Sequence, residues 1–95
     1  MQVKLLYIRK SDNPKKKWVA VYEVDGKKLR RRFGSANMTD FTLGATDQQK
    51  KNYRARHKND NINDPLAPGS LSWHLLWSSR DFKENIKSFK KRFNV

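Results

Sequence analysis

The sequence predicts an α+β fold: a small antiparallel sheet of three to four strands in the N-terminal half, packed by about three helices in the C-terminal half, all in one domain over residues 1–95. Three observations predict it. Strand-like segments crowd the first 35 residues. Asp25-Gly26 between two of them is the signature of a two-residue hairpin turn. Helix start signals and a helical apolar stripe appear only in the second half. Strands first and helices after give segregated layers, as in an α+β domain with an antiparallel sheet.

Residues 2–10 (QVKLLYIRK) read as a strand, rich in β-branched and aromatic residues and without helix caps. Ser11-Asp12-Asn13-Pro14 is a turn cluster. Residues 17–24 (KWVAVYEV) read as the second strand and residues 27–33 (KKLRRRF) as its return. Alternation places Trp18, Ala20, Tyr22 and Val24 on one face, opposite Val19, Val21 and Glu23. On the returning strand Lys28, Arg30 and Arg32 share a face, and Leu29, Arg31 and Phe33 share the other. One sheet face is therefore expected to be apolar and the other cationic. The pattern does not set the register, so it leaves open which aromatics face the cations.

Residues 34–45 read as irregular, with a short fourth strand at Phe41-Thr42-Leu43 and turns at Gly34 and Gly44. Thr46 and Gln49 form a capping box, which predicts a helix from Asp47 to about Lys58. That helix is almost entirely polar, so Tyr53 is its expected anchor. Residues 59–69 (NDNINDPLAPG) read as a loop. Ser70 is the expected cap of a short buried helix from Leu71 to Trp77. Ser78 as N-cap, with Asp81 at the third helical position, predicts a last helix to about Phe93. Its apolar residues Phe82, Ile86, Phe89 and Phe93 repeat at helical spacing, with Lys83, Lys87, Lys90 and Lys91 as a basic stripe beside them. Trp18, Trp73 and Trp77 are assigned to the core.

The formal charge is +13 on 95 residues, and the hydrophobic fraction is 36%. Alone, those values lean toward disorder. Three Trp and five Phe argue instead for a compact fold with a thin core. Without cysteine there is no disulfide framework, thiolate metal site or thiol nucleophile. Apolar runs reach only four residues, as in Leu5 to Ile8, too short for a membrane span or a secretion signal. The expectation is a protein that is soluble and not secreted, without membrane insertion. The last helix has an amphipathic pattern that would suit a membrane surface, but its Phe/Ile stripe is expected to pack on the sheet.

So high a charge favours polyanionic partners. Residues 1–35 carry eleven basic against three acidic residues, so the hairpin half holds much of the excess. The candidate nucleic-acid-binding residues fall in four segments. They are Lys15, Lys16 and Lys17 before the second strand, and Lys28, Arg30, Arg31 and Arg32 on the third. Lys50, Lys51, Arg54 and Lys58 belong to the polar helix, and Lys83 and Lys87 to the last. Lys and Arg neutralise phosphates and release counterions whatever the base sequence. Gln48, Gln49, Asn52 and Arg56 are the types that read base edges, but a solvated helix face explains them as well. Trp18 and Tyr22, on a strand flanked by basic runs, are candidates for base stacking, although the core has first claim on them.

No catalytic activity is expected, and no cofactor or metal. His57 with Asp60 and Asp64 matches no ligand spacing. His57 suits the C-terminal end of a basic helix, and His74 reads as a satisfied core histidine. Asp64 either caps backbone amides in the Asn63-Asp64-Pro65 loop or joins Arg56 and His57 in a polar knot.

A further set of residues carries a resemblance. They are Phe33-Gly34, Asp40-Phe41-Thr42, Lys51, Tyr53 and Arg56-His57, then Asn63-Asp64-Pro65, Gly69, Leu71-Ser72, Leu76-Trp77, Ile86, Phe89 and Arg92-Phe93. With the upstream KKWVAVYEVDGK hairpin, nearly the whole chain resembles a family of short basic proteins of unknown function. That family is encoded by nucleocytoplasmic large DNA viruses, the giant viruses of algae and amoebae. Ile62 stands where the family has an aromatic, and Pro68 where it has small residues. The resemblance implies a viral origin but no mechanism.

Charge and implied origin together lead to an expected function. It is a non-enzymatic, largely sequence-independent viral DNA-binding protein that packages or condenses a genome, with double-stranded DNA as partner. Its place would be the virion interior, or the virus factory or nucleus of the infected cell. The alternatives are a minor structural virion protein docking on acidic capsid or core protein, and an RNA-binding protein in the infected cell.

Overall fold

The computed structural model describes residues 2–95. Three strands, β1 (Val3–Lys10), β2 (Lys16–Val24) and β3 (Lys27–Ser35), form an antiparallel meander in the order β1-β2-β3. Asp25 (φ 50°) and Gly26 (φ 84°) both take positive φ, as the tight turn of a twisted hairpin requires. Gly34 also has positive φ, and a Cβ there would meet Leu76 Cδ1 at 2.9 Å, so a helix-layer side chain closes directly on the strand.

Register decides what each face carries. Tyr22 lies between Leu5 and Leu29, Ala20 between Ile8 and Arg31, and Trp18 between Lys10 and Phe33. Most of these residues point at the helices, and Leu5, Ala20, Tyr22 and Phe33 are fully buried. On the opposite face Glu23 lies between Lys4 and Lys28, Val21 between Tyr7 and Arg30, and Val19 between Arg9 and Arg32. The β1 register slips between Leu5 and Tyr7, so a β-bulge at Leu6 carries Tyr7 and Arg9 to the same face as Lys4.

The helical layer starts after a 3-10 turn, Phe41–Leu43, where the sequence predicts a fourth strand. Asp40 causes the difference: its carboxylate accepts from Thr42 N at 2.8 Å and from the Thr42 hydroxyl, which curls the chain. Helix α1 (Asp47–Arg56) carries both hydrogen bonds of the predicted Thr46/Gln49 box, and ends two residues before Lys58. Helix α2 (Pro68–Leu71) has proline in its first turn and continues as a π-helical turn, Ser72–Leu76. Ser70 is not its cap. It is buried inside α2 and donates to the Ile62 carbonyl at 3.2 Å.

Helix α3 (Phe82–Phe93) is capped by Asp81, whose carboxylate accepts from Glu84 N, and not by the predicted Ser78. The carboxylate outcompetes the upstream hydroxyl because it also meets the positive end of the helix dipole. Buried Asn85 then ties α3 to the π-turn. Its Nδ2 donates to the carbonyls of Leu75 and Ser79, both at 2.9 Å, and its Oδ1 accepts from Ser79 N.

Helices and sheet meet over one apolar face. Leu71, Leu75, Leu76 and Phe89 are at most 1% exposed and pack with Tyr22 and Phe33. Burying a side chain like Phe89 contributes roughly 1.5–3 kcal/mol. Trp18 stacks on Phe82 with centroids 4.7 Å apart, and Tyr53 stacks between His57 and Trp77 at 4.2 and 4.6 Å. Tyr53 is thus the anchor of α1, and burial pushes its hydroxyl up to about 12.

Candidate nucleic-acid interface

The helical layer packs on one face of the sheet, where Trp18 meets Phe82, and Tyr22 and Arg31 bond Pro65 and Leu66. Among the described residues no helix covers the second face. Lys4, Arg9, Lys28, Arg30 and Arg32 project from it around Val19 and Val21, which are 0% and 1% exposed. Those valines lie outside the cluster under the helices and have Tyr7, Arg9, Arg30 and Arg32 as their register neighbours, long side chains able to cover them while their polar ends stay in water. Glu23 is the one carboxylate in these ladders. Among the described residues, Lys4, Arg9, Lys28 and Arg30 have no carboxylate partner. Arg32 has one. Its Nε lies 2.8 Å from Asp12 Oδ1, and the hydrogen bond holds the Asp12 carboxyl below its usual range. Both side chains are well exposed, so the pair is easily exchanged for another anion. Tyr7 lies in the same patch and is 49% exposed.

The predicted residues divide into three groups. Lys28, Arg30 and Arg32 lie on the open face, and Lys15 and Lys16 are exposed at the β1–β2 turn. Lys51, Lys58, Lys83 and Lys87 are exposed, but they belong to α1, its trailing loop and α3, on the other layer. Four more are committed inside the fold. Lys17 Nζ lies 2.6 Å from buried Asp40 Oδ2. Arg31 points to the helix side and donates from Nε to the Leu66 carbonyl at 3.1 Å. Lys50 donates to the Ser78 carbonyl and sits 4.7 Å from the Phe41 ring centre, and burial lowers its pKa. Arg54 donates twice to the Trp77 carbonyl, at 3.2 and 3.1 Å, and lies over the Trp73 ring.

The four basic segments are thus divided between the two layers of the fold. Lys28, Arg30 and Arg32 lie on the sheet face away from α1, whereas Lys16 and Lys17 line a cleft with Arg56 of α1. Three members of the patch, Lys4, Tyr7 and Arg9, escaped sequence reading. Strict alternation from Lys4 would have put Tyr7 and Arg9 on the opposite face. The adjacent Leu5-Leu6 pair, which breaks the period of two, is the signal of the bulge. Trp18 and Tyr22 are not stacking platforms: both face the helices, and the Tyr22 hydroxyl donates to the Pro65 carbonyl at 2.6 Å.

The histidines and the Pro-rich loop hydrogen-bond within the fold. His57 Nδ1 is 2.7 Å from Asp60 Oδ2, so the polar knot with Arg56 and Asp64 is not formed. Asp64 accepts from Leu66 N at 2.9 Å, the amide-capping alternative. His74 donates from Nε2 to the Ile62 carbonyl at 2.8 Å. A cleft of about 460 Å³ opens between α1 and α3, lined in part by Lys50, Arg54, Glu84 and Arg92. Among the described residues no group of three or more His, Asp or Glu could hold a metal ion, and no helix is long and apolar enough to cross a membrane.

These features define a two-layer α+β domain with an open cationic sheet face. A family model described as a family of unknown function (DUF5754) matches residues 6–57, from the β1 bulge through α1 to His57. The match covers more than half of the chain, which therefore belongs to that family. Neither a curated protein nor a solved structure matches it significantly.

Proposed function

We propose that this chain is a non-enzymatic, largely sequence-independent binder of double-stranded DNA, and that the open sheet face makes the contact. The observation that carries the reading is the set of five cations on a face that no helix covers, with four of them lacking a carboxylate partner. Cations spaced along neighbouring strands suit phosphates. The ladders of this face hold no Asn or Gln to pair with adenine, and its cations are of the types that neutralise phosphates whatever the base sequence. We further propose the viral kinship as the protein's origin. It would make a packaged genome the polyanion, and the virion interior or virus factory the location.

Filter binding over a salt series tests the reading. For about five phosphates, log affinity falls against log salt with a slope of about −4 to −5. Changing Arg9, Arg30 and Arg32 together to Ala flattens that slope by about 3 and weakens all duplexes alike. A flat wild-type response overturns the reading, and selective loss of one sequence overturns its lack of specificity.

Exposed Tyr7 among the cations favours a second reading, single-stranded nucleic acid including RNA. Base–aromatic stacking is worth about 1–3 kcal/mol per base. Tyr7→Ala then weakens single-stranded probes about 5- to 150-fold and leaves duplex affinity unchanged, whereas the duplex reading expects little effect on either.

A further inference from the structure

We infer that the exposed side of α3 is a second polyanion-binding surface, and that one molecule bridges two DNA duplexes. The inference rests on the duplex reading of the sheet face. Its own evidence is the charge on α3, in the helix layer.

Phe89 of α3 is buried, with Phe82, Ile86 and Phe93 packed around it against the core. Lys83, Lys87, Lys90 and Lys91 are all exposed, and none has an ion-pair partner among the described residues. Glu84 is the only carboxylate within the helix.

Apart from the Glu84–Lys87 spacing of three residues, this pattern does not serve the helix. Lys83, Lys87 and Lys91 follow one another four residues apart, where like charges repel by about 0.2–0.5 kcal/mol per pair. Lys90 and Lys91 lie in the last turn and suit the helix dipole. Lys83 lies in the first turn, where the dipole disfavours a cation, and Lys87 gains nothing from either end. A line of lysines that costs the isolated domain stability is stabilised by an external row of phosphates.

The geometry then requires two segments of DNA. The apolar stripe of α3 packs against the core from the helix layer, so its exposed lysines lie on that layer and off the open sheet face. The sheet and core lie between them, and the molecule measures 23 Å across its thinnest axis. A short duplex is stiff over its whole length, so one that lies on the sheet cannot reach α3.

A two-duplex capture assay on the full chain tests this. A duplex of about 20 base pairs, too short to wrap around the protein, is fixed to a surface. Protein is bound and washed, and a fluorescent duplex of the same length is added. Wild type is expected to capture the second duplex. Lys83→Gln, Lys87→Gln and Lys91→Gln together should keep affinity for the first duplex within about threefold and cut capture at least tenfold, with a thermal melt no lower than that of wild type. Capture at the wild-type level by this variant overturns the inference, and so does wild type that binds one duplex and never a second. The first result also covers pairing of two protein molecules as the source of bridging. Failure of wild type to bind even the first duplex overturns the sheet-face reading and this inference together, whereas binding of one duplex without a second overturns this inference alone.

Discussion

Lys17 Nζ lies 2.6 Å from Asp40 Oδ2, with the two side chains 12% and 1% exposed. The pair joins β2 to the 3-10 turn that opens the helical layer, and Asp40 also accepts from Thr42 and so caps that turn. Breaking a buried pair from one side is costly, because the remaining charge loses its partner. Asp40→Ala is expected to cost about 3–5 kcal/mol in urea unfolding. Lys17→Met with Asp40→Asn should recover part of that, since no lone charge stays buried. Equal loss in the single and the double variant would refute the ion-pair account.

Arg30 and Arg31 are neighbours in sequence with opposite roles. Arg30 projects from the open face, while Arg31 holds the Leu66 carbonyl on the helix side. Arg30→Ala should leave the unfolding midpoint unchanged and flatten the salt slope of DNA binding by about 0.9. Arg31→Ala should cost about 1–2 kcal/mol of stability and leave the slope of the folded protein as it was. Equal effects on binding would mean that strand alternation does not decide which arginines meet DNA.

Local signals in the chain account for much of the fold. The Asp25-Gly26 turn, the Thr46/Gln49 box and the Phe82-Ile86-Phe89-Phe93 stripe each act within a few residues, so each is legible without the fold. Alternation on β3 likewise separates Arg30 and Arg32 from Arg31. What was not legible depends on partners distant in sequence. Phe41-Thr42-Leu43 has strand composition, but Asp40 bends it, and Asp40 is buried because Lys17 meets it there. Lys50 and Arg54 look like any solvated helix cations until the carbonyls at the end of the π-turn are placed against them. The bulge at Leu6 is the costliest omission, since a one-residue slip moves every later side chain to the other face.

Asn85 should be as sensitive as the ion pair. It is 3% exposed, and both ends of its amide are used, on Leu75, Ser79 and the Ser79 amide. Asn85→Ala strands these backbone groups next to the core, at a cost of about 2–3 kcal/mol. Asn85→Asp keeps the acceptor but puts a carboxylate against two carbonyls, and should be at least as harmful at neutral pH. A urea midpoint within error of wild type for either variant would show that water replaces the amide freely.

His74 makes stability depend on pH. Burial lowers its pKa from the ordinary 6.5, with Arg92 and Arg54 acting in the same direction and its hydrogen bond to the Ile62 carbonyl opposing them. The folded state therefore holds His74 neutral where the unfolded chain already takes up a proton. Its contribution is full above about 6.5 and is lost as pH falls through the lower folded value. Urea midpoints measured downward from pH 7.5 should decline below about 6.5 in wild type. His74→Gln, which keeps a donor for Ile62, removes that part of the decline. His57 with its partner Asp60 is present in both proteins, so the difference between the two curves isolates His74. Parallel curves would place the acid sensitivity elsewhere.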